Sequence, residues 1–213
     1  MKIYATSDLH LCDENVCRRR GYVSCDEMHE KIIESWNGVV KEHDMVFVLG
    51  DICHSTRADS DGGLSRTRDV IRKLNGYKVL VMGNHDFNDC GKPSERRDWP
   101  WGEIGFYRIV LNTHPYICPA VIEFFPGIGE VHMSHESPKR LKDRGFQVPR
   151  NLFSIYGHYH TCQNMDPDDD NNNMEEEGGV CVSWDTQKRP VEMKELKESW
   201  DKNLRRKESK SGK

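Results

Sequence analysis

The first half of the chain alternates short apolar runs with polar segments. Runs at 2–6, 45–49 and 78–82 are too short for helices and too apolar for surface loops, so they predict buried strands. Between them, apolar residues recur at helical spacing in two segments, the first of which begins with a capping box formed by Ser24 and Glu27. The resulting β-α-β-α-β order predicts a parallel sheet covered by helices.

The second half of the chain predicts a different arrangement of strands. Runs at 121–125 and 130–134 flank the sequence Pro126-Gly127-Ile128-Gly129, which is typical of the turn in an antiparallel hairpin. Two sheets stacked face to face, with helices outside, would accommodate both halves. Further strands are expected at 106–111, 152–156 and 180–184.

Composition narrows the domain organisation. The 213 residues fit one domain with a single core, and the low apolar content of 36% reflects charge concentrated in two stretches. The first stretch, 166–177, cannot bury enough apolar surface to order itself. We therefore expect a single domain over 1–191 with a mobile acidic loop at about 165–178, followed by a charged C-terminal helix and disordered tail over 192–213.

Charge and cysteine usage restrict the partners and the compartment. A net charge of −4 provides no global basic field, so nucleic acid is not favoured as a partner, although a local basic patch stays open. The eight cysteines form no CxxC pair, and the amino-terminal segment turns polar too early for a secretory leader. No apolar run is long enough to cross a bilayer. We expect a cytoplasmic protein with reduced thiols and no membrane association.

Polar side chains follow five of the strand-like runs. Asp51 closes the run at 45–49 directly after Gly50, which lets the backbone turn sharply. Because α/β folds place their chemistry at the carboxyl ends of strands, we expect these polar clusters to lie together. The clusters after the other runs contain Asp8, His10, Asn84, His85, Asp86, His135, His158 and His160.

These residue types suit a site for two metal ions. Two ions about 3.5–4 Å apart need a bridging ligand, and a carboxylate can bridge where an imidazole cannot. Asp51 is the natural bridge, because it stands between ligand groups earlier and later in the chain. Asp8 and His10 are two residues apart, which puts both side chains on one face of an extended segment. His158 and His160 share that spacing.

Two further residues complete the predicted ligand set. Asn84 offers a neutral amide oxygen, and His135 adds another imidazole. A mixture of nitrogen and oxygen ligands suits transition metals better than calcium or magnesium, so we expect two divalent ions, with manganese favoured and iron, zinc or nickel as alternatives. Any one of these histidines alone could be an ordinary core or surface residue. Seven such residues at strand ends favour the metal interpretation.

The same residues, taken in chain order, resemble the motifs of a known family. The series resembles that of the calcineurin-like metallophosphoesterases, in particular the small phosphoesterases of bacteria and phages. The segments Trp36-Asn37, Leu74-Asn75-Gly76 and Arg189-Pro190-Val191 extend the resemblance over most of the chain. The matching motifs are Asp8-x-His10, Gly50-Asp51, Gly83-Asn84-His85-Asp86, His135 and Gly157-His158-x-His160.

The resemblance implies a fold and a metal arrangement. The implied fold is a four-layer α/β/β/α sandwich of two mixed β-sheets flanked by helices. The implied metal centre is dinuclear, with Asp51 shared by both ions. By position, one ion would be held by Asp8, His10, Asp51 and His160, and the other by Asp51, Asn84, His135 and His158.

The resemblance also implies a catalytic role for His85, which would face the phosphate rather than bind metal. Elementary chemistry agrees, because a metal-activated hydroxide can attack near neutral pH, whereas an alkoxide leaving group still needs a proton. A histidine can donate that proton in the neutral range. The alternative is that His85 only caps a helix or makes a structural hydrogen bond.

One position departs from the pattern of the protein phosphatases in this superfamily. Those enzymes carry Gly-Asp-x-x-Asp-Arg, in which the second Asp orients the catalytic histidine. Here His54 occupies that place and cannot orient His85 as a carboxylate would, which argues against a protein phosphatase. Asp86 could orient His85 instead, although bonding to the local backbone is the commoner role of such a residue.

The remaining candidates concern the substrate. Arg18 and Arg20 could each bind a phosphate through two hydrogen bonds, although a solvated surface position is equally expected for both. Arg57 is a weaker candidate. His54, which adjoins a ligand segment, and Asn84, which is itself a predicted ligand, are further candidate substrate-binding residues.

The predicted function is hydrolysis of a phosphodiester or phosphomonoester, with a small nucleotide-like substrate as partner. Two alternatives stay open: a nuclease acting on single-stranded ends, or a catalytically silent metal-binding interaction protein of the same fold. For a nuclease, Trp99 and Trp101 beside Arg96-Arg97 could stack bases, although anchoring a long loop is the favoured use of these tryptophans. The oligomeric state is left open by the sequence.

Overall fold

Two β-sheets form the centre of the computed structural model, which describes residues 1–54, 63–89, 92–93, 98–111, 118–149, 151–160 and 178–211. Helices flank the sheets. The strands are β1 (Ile3–Thr6), β2 (Met45–Val48), β3 (Tyr77–Val81), β4 (Asn88–Asp89), β5 (Lys92–Pro93), β6 (Phe106–Val110), β7 (Ala120–Phe125), β8 (Gly129–Ser134), β9 (Phe153–Tyr156), β10 (Val180–Cys181) and β11 (Val191–Glu192). The helices are α1 (Glu14–Arg19), α2 (Cys25–Val39), α3 (Leu64–Ile71), α4 (Asn84–Phe87), α5 (Trp101–Ile104), α6 (Pro138–Asp143), α7 (Trp184–Gln187) and α8 (Met193–Ser211).

The first sheet has the strand order β11-β1-β2-β3-β6. Strands β1, β2, β3 and β6 run parallel, as the β-α-β-α-β pattern predicts, and β11 adds an antiparallel edge. Alternation along β2 divides its side chains between two cores. Val46 and Val48 pack with the helices on one face, while Phe47 packs on the face toward the second sheet.

The second sheet has the order β10-β9-β8-β7. The predicted hairpin is confirmed, since β7 and β8 pair antiparallel with Val121 opposite Met133. Strand β9 lies parallel to β8, and β10 lies parallel to β9. Met133, Phe153 and Ile155 of this sheet share a buried cluster with Phe47 of the first. The sheets therefore pack face to face, and the predicted class of two mixed sheets with flanking helices is confirmed.

Helix α2 is the main cover of the first sheet. Its amino end is capped as predicted, with Ser24 Oγ accepting from the backbone N–H of Glu27 at 3.2 Å. Met28, Ile32 and Trp36 recur at helical spacing and are fully buried. Burial of each such side chain contributes about 1.5–3 kcal/mol, so this apolar stripe holds the helix on the sheet.

Two segments differ from the predicted elements. The strand expected at 180–184 is shorter, because Trp184 begins α7 and its backbone N–H donates to Ser7 O at 2.9 Å. The region predicted as a long loop before residue 106 contains α5, whose Trp101 is buried and lies 5.8 Å from the Phe106 ring. Trp99 is half-buried against the same core, which favours the anchoring interpretation of both tryptophans over base stacking.

The carboxyl-terminal helix belongs to the core between the sheets. Met193, Leu196 and Trp200 are buried there, so the amino-terminal half of α8 packs on the sheets rather than standing apart. The domain boundary at 191 stays a prediction, and most of the predicted acidic loop, 165–178, lies outside the described residues. Among the helices that the structure describes, none combines the length and apolar character that a membrane span requires.

Candidate metal centre

The predicted ligand loops meet at the carboxyl ends of the parallel strands. Backbone hydrogen bonds tie the loops to one another: Asp8 N donates to Gly50 O at 3.0 Å and His10 N donates to Asp51 O at 3.0 Å. The loop after β9 joins them through Gly157 N, which donates to His135 O at 3.1 Å. The frame of the site is therefore built from main-chain bonds between loops that are distant in sequence.

Four of the predicted ligands have left-handed backbone conformations. The φ angles are 57° at Asp8, 49° at His10, 53° at Asp51 and 72° at His158. Such conformations are uncommon outside glycine and cost on the order of 1–3 kcal/mol each. The loop-to-loop hydrogen bonds hold them in place, and the result directs these side chains toward a common point.

Two glycines leave room for the metal ligands. A Cβ atom on Gly83 would overlap the Asp51 carboxylate and approach the His135 ring, and one on Gly50 would overlap the backbone of Gly83. Gly50 also has a φ of 79°, which favours glycine. The glycines of Gly50-Asp51 and Gly83-Asn84 are thus required by close packing inside the site.

One group of ligand atoms, here called site one, comprises Asp8, His10 and His160. Asp8 Oδ1 lies 3.9 Å from His10 Nε2 and 3.8 Å from His160 Nε2. The Asp8 carboxylate is fully buried and accepts hydrogen bonds from the backbone N–H of His158. The Asp8 carboxyl group is therefore held within reach of two imidazoles.

A second group, site two, comprises Asp51, His135, His158 and the amide of Asn84. His135 Nε2 lies 3.1 Å from Asp51 Oδ2, 3.0 Å from Asn84 Oδ1 and 3.2 Å from His158 Nδ1. Asn84 Oδ1 is also 3.0 Å from His158 Nδ1. His135 Nδ1 faces the Leu49 carbonyl at 2.7 Å, which fixes Nδ1 as the donor and leaves Nε2 to face the site.

Asp51 lies between the two sites. Its Oδ2 atom is 3.1 Å from His135 Nε2 in site two and 3.8 Å from His10 Nε2 in site one. The side chain is almost fully buried. This position is the one that a carboxylate shared by two ions must occupy.

The donor atoms fit divalent metal ions. Ligand bonds of about 2.0–2.2 Å place neighbouring ligand atoms about 3.0–3.5 Å apart, and opposite ligands of an octahedral ion about 4.2 Å apart. The ligand-atom separations in site two, 3.0 to 3.2 Å, match the distance between neighbouring ligands. Those in site one, 3.8 and 3.9 Å, lie between the distance for neighbouring ligands and the distance for opposite ligands. Within the part of the chain that the structure describes, neither ring nitrogen of buried His10 has a hydrogen-bond partner. A cation bound at Nε2 would give one of these two nitrogens a partner.

Electrostatics also favour a cation in this cleft. Burial acts to lower the pKa of His135, but the Asp51 carboxylate outweighs it and raises that pKa to about 10. Burial and the positive charge on His135 lower the pKa of the neighbouring His158 to about 3. The buried carboxylates thus attract positive charge strongly, while one imidazole of site two stays neutral and able to ligate.

His85 lies beside the ligands without joining either group. Its backbone N–H donates to Asp51 Oδ1 at 2.9 Å, and its ring centroid is 5.4 Å from that of His10. The His54 ring is 4.7 Å away, and His54 Nδ1 lies 3.1 Å from Asp13 Oδ2. His54, which takes the place of the phosphatase aspartate, is therefore packed against His85 and held by a carboxylate.

Asp86 bonds to the local backbone. Its carboxylate accepts from the N–H groups of Gly83, Asp51 and Ile52 at 2.8, 2.9 and 3.0 Å. Burial, together with the charge of Asp51, raises its pKa to about 7. This geometry supports the local-backbone interpretation of Asp86.

The two arginines predicted to bind substrate both form ion pairs with carboxylates of the protein. The side chain of Arg20 is only 2% exposed, and its guanidinium donates to Asp185 and to the backbone carbonyls of Asp8 and Leu9. Arg20 is therefore a structural residue beneath the loop of site one, because its donors are occupied there. Arg18 is 68% exposed and pairs with Glu14 at 3.1 Å on the surface. Arg57 lies outside the described residues.

Two residues of the site were absent from the prediction. Asp185 Oδ2 lies 2.8 Å from His160 Nδ1, and Asp13 contacts His54 while its other oxygen caps α1. Asp185 lies in α7, but it directly follows the strand predicted at 180–184, so the strand-end criterion applied to that segment would have found it. Asp13 could have been noticed as an acidic residue directly before a helix, a position where such residues cap the helix.

Curated relatives match parts of this chain. An uncharacterized protein of Methanocaldococcus jannaschii is 34% identical over 87 residues, and the match spans 40% of this chain and about half, 47%, of that relative. Gene 66 protein of Mycobacterium phage D29 is 28% identical over 75% of this chain and 78% of its own length. The counterpart in phage L5 is 26% identical over 73% and 76%.

A solved structure extends the likeness to the whole fold. A protein of unknown function from Aquifex aeolicus superposes with a TM-score of 0.63 at 20% identity, covering 92% of this chain and 98% of its own. The family model for calcineurin-like phosphoesterases matches residues 1–195, which include every predicted metal ligand. The chain belongs to the calcineurin-like phosphoesterase family.

Proposed function

We propose that this protein is a metal-dependent phosphoesterase that hydrolyses a phosphodiester or phosphomonoester of small, nucleotide-like character. The observation that carries the proposal is the position of Asp51, whose Oδ2 atom lies 3.1 Å from a site-two imidazole and 3.8 Å from a site-one imidazole. A single carboxylate shared by two ligand groups is the arrangement that dinuclear phosphoesterase chemistry needs. The proposed cofactors are two divalent transition-metal ions, with manganese favoured.

The metal ions, when bound, supply a nucleophile at neutral pH and stabilise negative charge on the phosphate. The protein's own contribution is to hold the ligands. Asp51 sits between the sites, the Leu49 carbonyl orients His135, and the loop hydrogen bonds fix Asp8. Asn84 adds an oxygen without adding charge, so the centre can still bind an anionic substrate.

His85 is proposed as the general acid. Its backbone is anchored to Asp51, while its ring packs beside His10 and His54 rather than among the ligand atoms of either site. A side chain held next to the reaction centre, but outside the ligand set, can donate a proton to a leaving oxygen. His54 supports the ring of His85 and takes no ligand position in site one or site two.

A small substrate is favoured over a nucleic acid. The chain carries a net charge of −4 and gives no global attraction for a polyanion. The tryptophans proposed for base stacking are buried or half-buried in the first core. The silent interaction protein is disfavoured because the full ligand set and His85 are both present.

The test is hydrolysis of bis-p-nitrophenyl phosphate against p-nitrophenyl phosphate with manganese, iron, zinc or nickel added in turn. We expect turnover of at least one ester that depends on added metal and is lost in Asp51→Asn. A panel of cyclic nucleotides, dinucleotides and single-stranded oligonucleotides then ranks the substrate classes. Hydrolysis confined to oligonucleotides would favour the nuclease, and inactivity on all substrates at full metal occupancy would favour the interaction protein.

A further inference from the structure

We propose that Asp185, clamped by Arg20, is a positioning residue that orients His160 and strengthens metal binding at site one but not at site two. The inference rests on the proposed function in one respect, that the two ligand groups bind metal ions. It adds a role for the carboxyl-terminal segment after β10, which contributes none of the predicted ligands.

The contact between Asp185 and His160 defines the orientation of the imidazole. Asp185 Oδ2 lies 2.8 Å from His160 Nδ1, and a carboxylate can only accept, so Nδ1 carries the hydrogen. In the neutral imidazole Nε2 is then the unprotonated nitrogen, and it faces Asp8 Oδ1 at 3.8 Å inside site one. The carboxylate thus selects the tautomer that can ligate and increases the basicity of the ligating nitrogen.

Arg20 makes this carboxylate a fixed part of the structure. Its Nε and Nη2 atoms donate to the two oxygens of Asp185 at 2.8 and 2.7 Å, a bidentate pair. The same guanidinium donates to the carbonyls of Leu9 and Asp8 at 2.8 and 2.7 Å. One buried cation therefore joins the backbone of the Asp8 loop to the residue that orients His160, which links two of the three site-one ligands.

In the part of the chain that the structure describes, no carboxylate is seen to hold an outer nitrogen of a site-two imidazole in this way. The Nδ1 atom of His135 faces the neutral Leu49 carbonyl at 2.7 Å, and His158 uses Nδ1 itself toward the site. Charge-assisted hydrogen bonds are roughly twice as strong as neutral ones, so removal of the Asp185 charge affects the orientation and basicity of a ligand at site one alone. The two sites consequently differ in the source of their metal affinity.

The experiment measures Mn²⁺ affinity by isothermal titration calorimetry on the whole chain. Loss of an outer carboxylate costs about 10–100-fold in metal affinity, and we expect Asp185→Asn to weaken one of two binding events by that factor. The variant Asn84→Ala, which weakens site two, shows which binding event belongs to which site. Asp185→Asn added to this variant should weaken Mn²⁺ binding at site one by the same factor. Glu195→Gln is the matched control, because Glu195 is likewise paired with an arginine, Arg189, at 2.8 and 3.0 Å, and Arg189 is not bonded to a ligand loop in the contacts described for it.

A second variant guards against misfolding. Arg20→Lys keeps a cation but loses the bidentate pair, and we expect it to weaken the same event by a smaller factor while thermal unfolding stays cooperative. Unchanged affinities in folded Asp185→Asn and Arg20→Lys, or equal loss at both sites, would overturn the inference. Failure of the wild-type chain to bind two ions would instead count against the proposed function.

Discussion

The backbone N–H of His85 donates to Oδ1 of Asp51 at 2.9 Å, while Oδ2 of the same carboxylate faces the ligands of both sites. One residue therefore connects the metal centre with the proposed proton donor. Oδ1 of Asp51 positions His85, and Oδ2 faces the metal ligands. A substitution of Asp51 should therefore change both the metal affinity and the position of His85. This division can be tested by substitutions that remove charge or a ligand selectively.

The first prediction concerns the shared ligand. Asp51→Asn removes the charge between the sites, so we expect the affinity for both ions to fall, whereas Asp8→Ala should mainly empty site one. Elemental analysis after dialysis, together with calorimetry, measures the occupancy of each variant. Two ions retained in Asp51→Asn would contradict the assignment of Asp51 as the bridge.

A second prediction follows from the packing around Gly83. A Cβ atom there would overlap the Asp51 carboxylate and approach the His135 ring, so Gly83→Ala should lower the free energy of unfolding by about 1–3 kcal/mol and weaken site two. Gly102→Ala in α5 is the matched control, because nothing lies within 4 Å of its added Cβ. Denaturant unfolding and Mn²⁺ titration measure both effects. Equal behaviour of the two alanine variants would show that Gly83 is not required by packing.

The third prediction concerns acid stability. Burial lowers the pKa of His132 in β8 from 6.5 to about 4. Between pH 4 and pH 6.5 this imidazole therefore binds a proton in the unfolded chain but not in the folded chain. Stability contributed by the neutral imidazole is complete above pH 6.5 and is lost as the pH falls toward 4, by on the order of 3 kcal/mol at most. His132→Leu should flatten this part of the pH profile of unfolding free energy. An identical slope in both proteins between pH 4 and 6.5 would exclude His132 as its source.

Much of the centre could be predicted because its ligands follow strands that are recognisable in the local pattern. Asp51 follows the apolar run of β2, and His135 follows that of β8, so topology alone brings them to one edge. Asn84 was predictable for the same reason, at the end of β3.

The remaining parts depend on tertiary structure. The sequence leaves Arg20 equally open as a phosphate-binding or a solvated surface arginine, and the pairing of Ser7 with Ser183 brings Asp185 to it in the fold. The left-handed φ of Asp8 is likewise imposed by a hydrogen bond to Gly50, from a loop about 40 residues away, which no local propensity encodes.

The fourth prediction tests His85 as the general acid. His85→Ala should keep both ions and lose turnover by about 10²–10⁴-fold on an ester with an alkoxide leaving group. The loss should be mild on a p-nitrophenyl ester, because p-nitrophenolate leaves readily without a proton. Ligand variants such as Asp8→Ala should impair both esters alike. Equal losses on both esters in His85→Ala would assign the proton to another group, with His54 at 4.7 Å the first candidate.

The proposed phosphoesterase activity requires two ions held around Asp51. The most direct measurement is the rate of bis-p-nitrophenyl phosphate hydrolysis by metal-free protein as Mn²⁺ is added in fractions of an equivalent. We expect no turnover in chelator, a rise that ends near two ions per chain, and no comparable rise in Asp51→Asn. Full activity in chelator, or no hydrolysis of any phosphate ester with two ions bound, would contradict the claim.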